Sequence, residues 1–264
     1  MLKAALHAHS TYSDGEFTLS EIKKTFSDQA CSVVCMTDHA ESFDEAKLAD
    51  YIRECAALSD EQFTFICGLE YECEQRMHIL GYGATELAHT TDPQGIIRHI
   101  EEHGGLAVIA HPKDTMFPWI ESFEVLPLGI ETWNSKYDGR YAPRPATFDL
   151  LLRLRHRRPN MRAFYGQDLH WKKQFRGLFT QLDCDSRTRE AVLGALSAGA
   201  YTGLKDDLRL PSSGELSPEL AARFAAQHAK SDRMRNFLKA GKKAIDGLGI
   251  TVPASIKAQL RRIF

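Results

Sequence analysis

The segment from Leu6 to Gly15 limits the folds open to this chain more than any other segment does. It reads Leu6-His7-Ala8-His9-Ser10-Thr11-Tyr12-Ser13-Asp14-Gly15 and follows a short apolar run. Side chains of an extended strand alternate between two faces, so His7 and His9 share one face. Asp14 lies in a Ser/Asp/Gly turn that can return its carboxylate to the same strand end. The segment predicts half of a metal site, unless the two histidines are unrelated polar residues near the N-terminus.

The rest of the chain repeats one order, in which a short apolar run ends in polar residues and a helix follows. Apolar runs predict strands at 32–37, 63–69, 77–83, 106–110, 129–133, 162–165 and 200–204. Capping signals predict helices at 18–30, 42–58, 92–103, 145–156 and 186–197. Strands alternating with helices favour an α/β fold with a parallel sheet. Seven or eight such strands favour a closed TIM-like barrel, in which the strand ends meet at one face.

Length and composition suit one large domain with a helical appendage. The chain has 264 residues, of which 43% are hydrophobic and 26% charged. We expect residues 1–210 to form the barrel domain. Ser217-Pro218 then opens a helix, and residues 211–264 form a basic helical segment packed on the barrel.

Charge is distributed unevenly along the chain. Residues 1–150 hold 11 Lys/Arg and 25 Asp/Glu, and residues 151–264 hold 22 and 10. The basic half could attract a polyanion or form an ordinary solvated helical surface, and the second interpretation is favoured for the C-terminal part. The absence of a long apolar run and of a signal-peptide pattern predicts a cytoplasmic protein with no membrane contact. The six cysteines are too sparse for a disulfide framework.

Ligand-capable side chains collect at the predicted strand ends. They are His7, His9, Asp14, His39, Glu70, His78, His111, Asp168 and His170. So many polar groups on one rim would be costly to bury unless metal ions neutralised the carboxylates. Imidazole and carboxylate ligands without thiolates suit zinc, manganese or iron.

The motifs at these positions resemble those of the PHP (polymerase and histidinol phosphatase) family. They are His7-x-His9-Ser10-x-x-Ser13-Asp14-Gly15, Thr37-Asp38-His39, Gly68-x-Glu70, His78-Ile79-Leu80-Gly81-Tyr82-Gly83, Ala110-His111-Pro112 and Gly166-x-Asp168-x-His170. The resemblance covers about residues 1–205, with the motifs in the family's order. One departure is Gln167, which stands where the family more often has a small residue.

The resemblance implies a distorted (β/α)7 TIM-like barrel of the PHP type that holds three divalent ions (manganese, iron or zinc) and hydrolyses phosphoesters. The nine residues above would be both its catalytic residues and its metal ligands. The first ion would be held by His7, His9, Glu70 and Asp168. Glu70 would bridge to a second ion held by His78 and His111. The third ion would be held by Asp14, His39 and His170.

The expected reaction is in-line attack on phosphorus by a metal-bridging hydroxide, with the metals compensating charge on the phosphoryl oxygens. The substrate would be a small phosphomonoester or a nucleotide phosphate. Cationic candidates for its phosphate lie in loops after strand ends: Lys113, Lys136, Arg140, Arg144 and Arg176. We favour Arg140, Arg144 and Lys113. Asp38 and Glu131 are expected to orient metal-bound imidazoles or to serve in packing, rather than to bind metal.

Three other functions stay open. An exonuclease or oligonucleotide phosphodiesterase would use the basic half to steer nucleic acid, and its activity would fall steeply with salt. A non-catalytic metal-binding PHP module is a second alternative, although all nine ligand positions are filled. An amidohydrolase also opens with His-x-His, but Glu70 fills the position where that family often has a bridging lysine. The oligomeric state is not predicted.

Overall fold

The computed structural model of the chain describes residues 1–247, and the side chains of residues 1–234 among them. The strands are β1 (Leu2–Ala8), β2 (Val33–Met36), β3 (Asp38–His39), β4 (Thr64–Ile66), β5 (Gly68–Glu72), β6 (His78–Tyr82), β7 (Leu106–Ala110), β8 (Gly129–Asn134), β9 (Arg162–Gly166), β10 (Leu178–Leu182), β11 (Tyr201–Lys205) and β12 (Leu208–Pro211). The helices are α1 (Leu19–Ser27), α2 (Glu45–Leu58), α3 (Pro93–Glu102), α4 (Phe117–Glu121), α5 (Pro145–Arg155), α6 (Arg189–Ala198) and α7 (Pro218–Gly247).

The starts of α1 and α3 follow the capping signals of the sequence, whereas α2 and α6 start later than predicted, with Thr188 as the cap of α6. Thr18 caps α1, and its side chain and that of Glu21 bond reciprocally to each other's backbone N–H groups, as a capping box requires. Asp92 caps α3, with Pro93 in the first turn. The predicted helix start at residue 42 is wrong. The residue that caps α2 is Asp44, whose carboxylate accepts the N–H of Lys47, and Ser42 belongs to a preceding 3-10 turn.

The strands form two six-stranded mixed sheets in an α/β fold. The orders are β12-β11-β10-β1-β2-β4 and β3-β5-β6-β7-β8-β9. The prediction of an all-parallel sheet is wrong, because β6 runs antiparallel to both β5 and β7, and β10 runs antiparallel to β1 and β11. Residues 73–77 alone connect β5 to β6. So short a connection can join only antiparallel neighbours, since a parallel pair needs a crossover of about a dozen residues.

The two sheets meet at the end of β9. The N–H of Gln167 donates to the carbonyl of Leu6, and the N–H of Leu169 donates to that of His7. The N–H of His9 returns a bond to Leu169, at 3.0 Å. One residue separates β2 in the first sheet from β3 in the second, and one residue separates β4 in the first sheet from β5 in the second. The chain therefore passes directly from one sheet to the other at these two points. Within the described residues the pairing gives two joined sheets and not the single closed ring that the sequence predicts.

The C-terminal part contributes α7, which contacts α5. Phe224 of α7 is fully buried, and its ring centroid lies 6.3 Å from that of Trp133 at the end of β8. The helix therefore packs behind the strand end that leads into the candidate site. The remainder of the predicted C-terminal segment, residues 248–264, lies outside the described residues. Within residues 1–247, no helix combines the length and the apolar character that crossing a bilayer requires.

Candidate metal centre

The nine predicted ligands come together where the strands end. His7 lies on β1, His39 on β3 and Glu70 on β5, while His111 follows β7 and Asp168 follows β9. His78 begins β6, but this strand is antiparallel and pairs His78 with Glu72 and with Ala110 at the last residues of β5 and β7. The reversed direction of β6 therefore brings a residue from the start of a strand to the edge where its neighbours end.

The backbone leaves regular strand geometry at three of these residues. The φ angle is +62° at His7, +50° at Asp168 and +25° at His111. Non-glycine residues avoid positive φ, and such conformations cluster at functional sites, where the surrounding structure holds them at a cost of about 1–3 kcal/mol each. At His7 the register of β1 against β2 also shifts. The strand is thus not the plain extended one that the sequence predicts, although the rings of His7 and His9 still lie 5.2 Å apart.

Four groups of side chains place their ligand atoms within 4.8 Å of one another. They are His9/Asp14/His39/His170, His7/His9/Asp168, His7/Glu70/His111 and His39/Glu70/His78. All nine predicted ligands occur in these groups. The grouping differs from the three implied sets, since His78 is joined with His39 and His111 with His7.

Glu70 is the centre of the arrangement, and its two oxygens face different imidazoles. Oε1 lies 2.8 Å from His78 Nδ1 and 3.2 Å from His111 Nε2. Oε2 lies 3.2 Å from His9 Nε2 and 3.4 Å from His7 Nε2. Burial alone would raise the pKa of Glu70, but the charge of His7 and hydrogen bonds from the histidines hold that pKa well below its usual value. Glu70 is therefore a buried, ionised carboxylate with a separate set of nitrogens at each oxygen.

Glu131 orients two of the histidines from behind. Its Oε1 lies 2.8 Å from His7 Nδ1, and its Oε2 accepts the backbone N–H of His111 at 3.0 Å and the amide of Asn134 at 2.7 Å. Burial lowers the pKa of His7, but the charges of Glu131, Asp168 and Glu70 outweigh burial and raise that pKa, so the free ring is protonated. With Nδ1 donating to Glu131, the proton on Nε2, which faces Glu70 and Asp168, is the one that a metal ion would displace. A Cβ at Gly166 would overlap the Glu131 carboxylate, so only glycine fits there.

Asp38 fixes the loop that carries Asp14. It accepts hydrogen bonds from the backbone N–H and the hydroxyl of Ser10 and from those of Ser13. These contacts account for both serines of the His9-Ser10-x-x-Ser13-Asp14 motif. Asp38 therefore acts on the loop of Asp14 rather than on an imidazole.

Asp14 and His170 form the more open end of the centre. Asp14 is 57% exposed, and its Oδ1 lies 3.2 Å from His170 Nε2 and 3.6 Å from His39 Nε2. Nδ1 of His170 lies 3.0 Å from Asp168 Oδ1. Burial lowers the pKa of His170, but its hydrogen bonds with Asp14 and Asp168 outweigh burial and raise that pKa to about 9. The ring is thus protonated at neutral pH unless a metal ion replaces the proton.

His9 provides the test of whether these residues suit a metal. Both ring nitrogens of His9 are buried, and neither has hydrogen-bond geometry to a partner in the described part of the chain, although Nε2 lies 3.2 Å from Glu70 Oε2. Burial lowers the pKa of His9 to about 3, so the ring is neutral with an unused lone pair. A buried polar atom without a partner is costly and uncommon. A metal ion held by His9 and its neighbours removes that cost, so the residues fit divalent metal ions.

Lys136 is the cation that the structure brings to the cluster. Its Nζ donates to Asp168 Oδ1 at 3.0 Å and lies 3.2 Å from His170 Nδ1.

The cations that the sequence favours as phosphate contacts are placed differently. Arg144 is engaged by Asp138, Asp114 and the carbonyl of Pro112, while Arg140 and Lys113 are exposed. Arg176 donates to the carbonyl of Ser135.

Sequence reasoning missed Asn134 altogether. Its amide nitrogen donates to both Glu131 and Asp168, and its amide oxygen accepts the N–H of Lys136 at 3.0 Å. The rule that polar residues at strand ends belong to the site would have found it, because Asn134 is the last residue of β8. Gln167 is buried, and its amide makes no hydrogen bond among the described residues, although its carbonyl accepts the hydroxyl of Ser135.

A cavity of about 480 Å³ adjoins the centre. His78 and His111 form one part of its wall, and Lys113, Tyr137 and Arg144 form another. The candidate ligands are therefore accessible to a small molecule from this side.

Comparisons with known proteins identify a family and a fold. A family model described as PHP domain matches residues 5–179. A two-domain protein from Bacteroides vulgatus ATCC 8482 containing a predicted PHP-like metal-dependent phosphoesterase superposes with a TM-score of 0.56 at 15% identity, over 79% of this chain and 66% of the other. PsfC from Pseudomonas syringae PB-5123 superposes with a TM-score of 0.53 at 12% identity, over 87% of this chain and 98% of the other. No curated protein matches the chain.

Proposed function

The chain belongs to the PHP domain family, and from that premise we propose that it is a metal-dependent phosphoesterase acting on a small phosphomonoester or a nucleotide phosphate. The observation that carries the proposal is the convergence of nine imidazoles and carboxylates around Glu70, whose two oxygens face separate sets of histidine nitrogens. Such a carboxylate is suited to bridge two metal ions. The similarity to a two-domain protein with a PHP-like phosphoesterase supports the same reaction class.

We propose that the centre holds three divalent ions, manganese, iron or zinc, in a cytoplasmic protein. His7, His9, Glu70 and Asp168 would hold one, Glu70, His78 and His111 a second, and Asp14, His39 and His170 a third. Ions in such sites generate a nucleophile from water near neutral pH and compensate the charge on phosphoryl oxygens. The four overlapping groups of ligand atoms within 4.8 Å support binding of more than one ion.

The chain's own residues prepare the site for this chemistry. Glu131 holds Nδ1 of His7, so that Nε2 faces inward, and it also fixes the backbone of His111. Asp38 anchors the loop of Asp14 through Ser10 and Ser13. Lys136 sits at the rim with its ammonium group beside Asp168 and His170, where it can contact a phosphoryl oxygen of the substrate. We propose Lys136 as the main phosphate contact of the protein, ahead of Arg140, Arg144 and Lys113.

We also propose that the strands of both sheets make one distorted (β/α)7 TIM-like barrel in residues 1–210, with α7 packed on it. The hydrogen bonds from Gln167 and Leu169 to β1 support this, because they join the last strand of one sheet to the centre of the other. The shared segments from β2 to β3 and from β4 to β5 support it as well.

The test measures phosphate release by the Mn²⁺-loaded protein from p-nitrophenyl phosphate, histidinol phosphate, mononucleotides and nucleotide bisphosphates, and nucleotide release from short oligonucleotides, across a salt series. Turnover of a small ester with little salt dependence, lost in His78→Ala, is the expected result. Release only from oligonucleotides, falling steeply with salt, would favour the phosphodiesterase alternative. No release from any substrate by a protein that metal analysis shows to be loaded would refute catalysis on this panel and favour a metal-binding module.

A further inference from the structure

Exposed aromatic side chains cluster in the loops that follow β8 and β9. Among the residues with described side chains, the exposed large apolar ones are Met1, Tyr137, Tyr141, Trp171 and Met234. Tyr137 is 56% exposed, and its ring centroid lies 4.6 Å from that of His111. Trp171 is 48% exposed, and its ring centroid lies 5.7 Å from that of His170. Two rings that contact candidate metal ligands are thus about half open to solvent.

Buried amides hold the backbone beneath both rings. The side-chain oxygen of Asn134 accepts the N–H of Lys136 at 3.0 Å and that of Tyr137 at 3.1 Å. The side-chain oxygen of Gln174 accepts the N–H of His170 at 3.1 Å and that of Trp171 at 3.3 Å. Both amide side chains are buried. Hydrogen bonds to buried side chains therefore hold the backbone of both aromatic residues, whereas an aromatic residue on a loosely held loop lacks this support.

The charge between the rings indicates what they bind. Nζ of Lys136 lies 5.2 Å from the ring centroid of Tyr137 and 5.6 Å from that of Trp171, and it also touches Asp168 and His170. An anion drawn to Lys136 therefore arrives beside two partly exposed aromatic rings. Exposed aromatic faces next to a cation are the common means of stacking flat rings of phosphorylated ligands.

We infer that Tyr137 and Trp171 form a stacking subsite for a flat aromatic ring in the leaving group of the substrate, an inference that rests on the proposed phosphoesterase function. The ring is a nucleobase or an aryl group, and both offer the same planar π face. The subsite selects among phosphate esters and takes no part in breaking the P–O bond. Its contribution is binding, so it lowers KM for substrates that carry a ring.

The experiment uses two pairs of esters that differ in the ring alone. Adenosine 5′-phosphate is compared with ribose 5-phosphate, and benzyl phosphate with cyclohexylmethyl phosphate, whose leaving alcohols have similar acidity. Wild-type protein should give a kcat/KM at least tenfold higher for the ring-bearing member of one pair or both. A preference in the first pair alone identifies a nucleobase, and a preference in both pairs identifies any aryl group.

The variants are Tyr137→Leu and Trp171→Leu, with Tyr141→Leu as the matched control. Tyr141 is also exposed, but its ring faces Arg140 and no candidate ligand. Each of the first two should raise KM for the ring-bearing ester by about tenfold, the usual worth of one stacking contact, and leave kcat and the ring-free ester unchanged. The control should change neither ester. Equal effects on both members of a pair, or no effect on either, would overturn the subsite.

A second measurement separates this inference from the proposed function. Adenosine 5′-phosphate should quench the fluorescence of Trp171 with a saturable curve, and ribose 5-phosphate should not. The quench should disappear in Trp171→Leu, which keeps Trp119 and Trp133. Failure to hydrolyse any of the four esters would refute the proposed function, and this titration would still decide the subsite: no saturable quench by the nucleotide refutes it.

Discussion

At the scale of single residues, the site depends on how one buried carboxylate is shared. Glu70 Oε1 faces His78 and His111, while Oε2 faces His7 and His9. A carboxamide in its place would offer one weak acceptor oxygen, and its NH₂ group would face imidazole nitrogens. Because an ionised carboxylate is what compensates cations in a buried site, the charge of Glu70 should matter more than its shape.

We therefore predict that Glu70→Gln lowers the affinity for Mn²⁺ by more than about 100-fold and abolishes phosphate release, while the fold is kept. Metal content by elemental analysis and far-ultraviolet circular dichroism are the measurements. Glu74→Gln, an exposed residue just after β5, is the control and should behave as wild type. Full metal content in Glu70→Gln would contradict the central role of this carboxylate.

His170 makes metal binding depend on pH. Burial lowers its pKa, and the opposing hydrogen bonds with Asp14 and Asp168 raise it to about 9, so the free ring holds a proton at pH 7. A metal ion at His170 must displace that proton, so its affinity falls as pH falls below about 9. We expect the affinity for Mn²⁺ to rise about tenfold per pH unit from pH 7 to 9 and to level off above.

Titration calorimetry checks this expectation, because comparing buffers of different ionisation heat counts the protons released on binding. At pH 7 we expect about one proton per ion for the group that contains His170, and close to none at pH 10. An affinity that is flat from pH 7 to 9, with no proton release, would show that His170 is neutral or does not bind the ion.

Most of the nine converging residues were predictable from a local rule, and the motifs that resemble the PHP family added His78, which begins its strand, and Asp14, which lies in a turn. Polar residues at the ends of apolar runs meet at one edge of an α/β sheet, wherever they lie in the sequence. The contacts that support these residues were harder to predict from the sequence. The link from Glu131 to His7 spans 124 residues, and no local pattern encodes which imidazole a buried carboxylate holds. The same holds for Lys136, since many surface lysines follow strands and only the fold brings this one to Asp168.

At the scale of elements, Gly166 at the end of β9 allows the site to close. A side chain there would overlap Glu131 and approach His7 Cβ to 2.9 Å. Glu131 in turn fixes His7 and the backbone of His111. The close approach of β8 and β9 at this point therefore sets the orientation of two candidate ligands that lie on other strands.

We predict that Gly166→Ala destabilises the fold by about 1–3 kcal/mol through overpacking and weakens metal binding by about 10–100-fold. Thermal unfolding and metal titration measure the two effects. The control is Gly194→Ala in α6, where a Cβ meets nothing within 4 Å. That change should leave metal binding intact and stabilise the protein by up to about 1 kcal/mol, as alanine does in a helix interior. Unaltered metal affinity in Gly166→Ala would refute the positioning role of Glu131.

Helix starts were predicted from the sequence more accurately than strand directions. Caps are local, so the starts of α1 and α3 follow from Thr18 and from Asp92-Pro93. Strand direction depends on partners far along the chain, and the antiparallel β6 is hidden in a pattern that looks like its parallel neighbours. β10 and β12 were not predicted, because no α-helix separates Leu178–Leu182 from β9 or Leu208–Pro211 from β11, so neither segment follows the alternation of strand and helix.

At the scale of the whole molecule, the acidic and basic halves of the chain are folded together. Strands β9 to β12 come from the basic half, and β10 pairs with β1 at the centre of the first sheet. The cations near the site therefore include residues of both halves, such as Lys136 and Arg176. Steering of a phosphorylated substrate should depend on this local arrangement rather than on the net charge of −2.

The attachment of α7 to the rest of the molecule depends on Phe224. It is the one fully buried aromatic side chain of α7 within the described residues, and it packs on Trp133, whose indole N–H donates to the carbonyl of Gly139 in the loop of Tyr137. We predict that Phe224→Ala costs about 3 kcal/mol, the usual loss for truncating a buried phenylalanine. Arg223→Ala, the exposed neighbour, should cost nearly nothing.

The substitution Phe224→Ala should affect the site through Trp133 rather than through α7 itself. The indole of Trp133 is bonded to Gly139, so loosening its packing should disturb the loop of Tyr137, while the hydrogen bonds of Asn134 to Glu131 and Asp168 keep Asn134 and the candidate ligands in place. We expect Phe224→Ala to speed limited proteolysis within residues 218–234, to raise KM for ring-bearing phosphate esters and to leave metal content unchanged. Denaturant unfolding, protease digestion and elemental analysis on the same preparation check the three parts. Loss of metal in this variant would show that α7 supports the whole centre and not the aromatic loop alone.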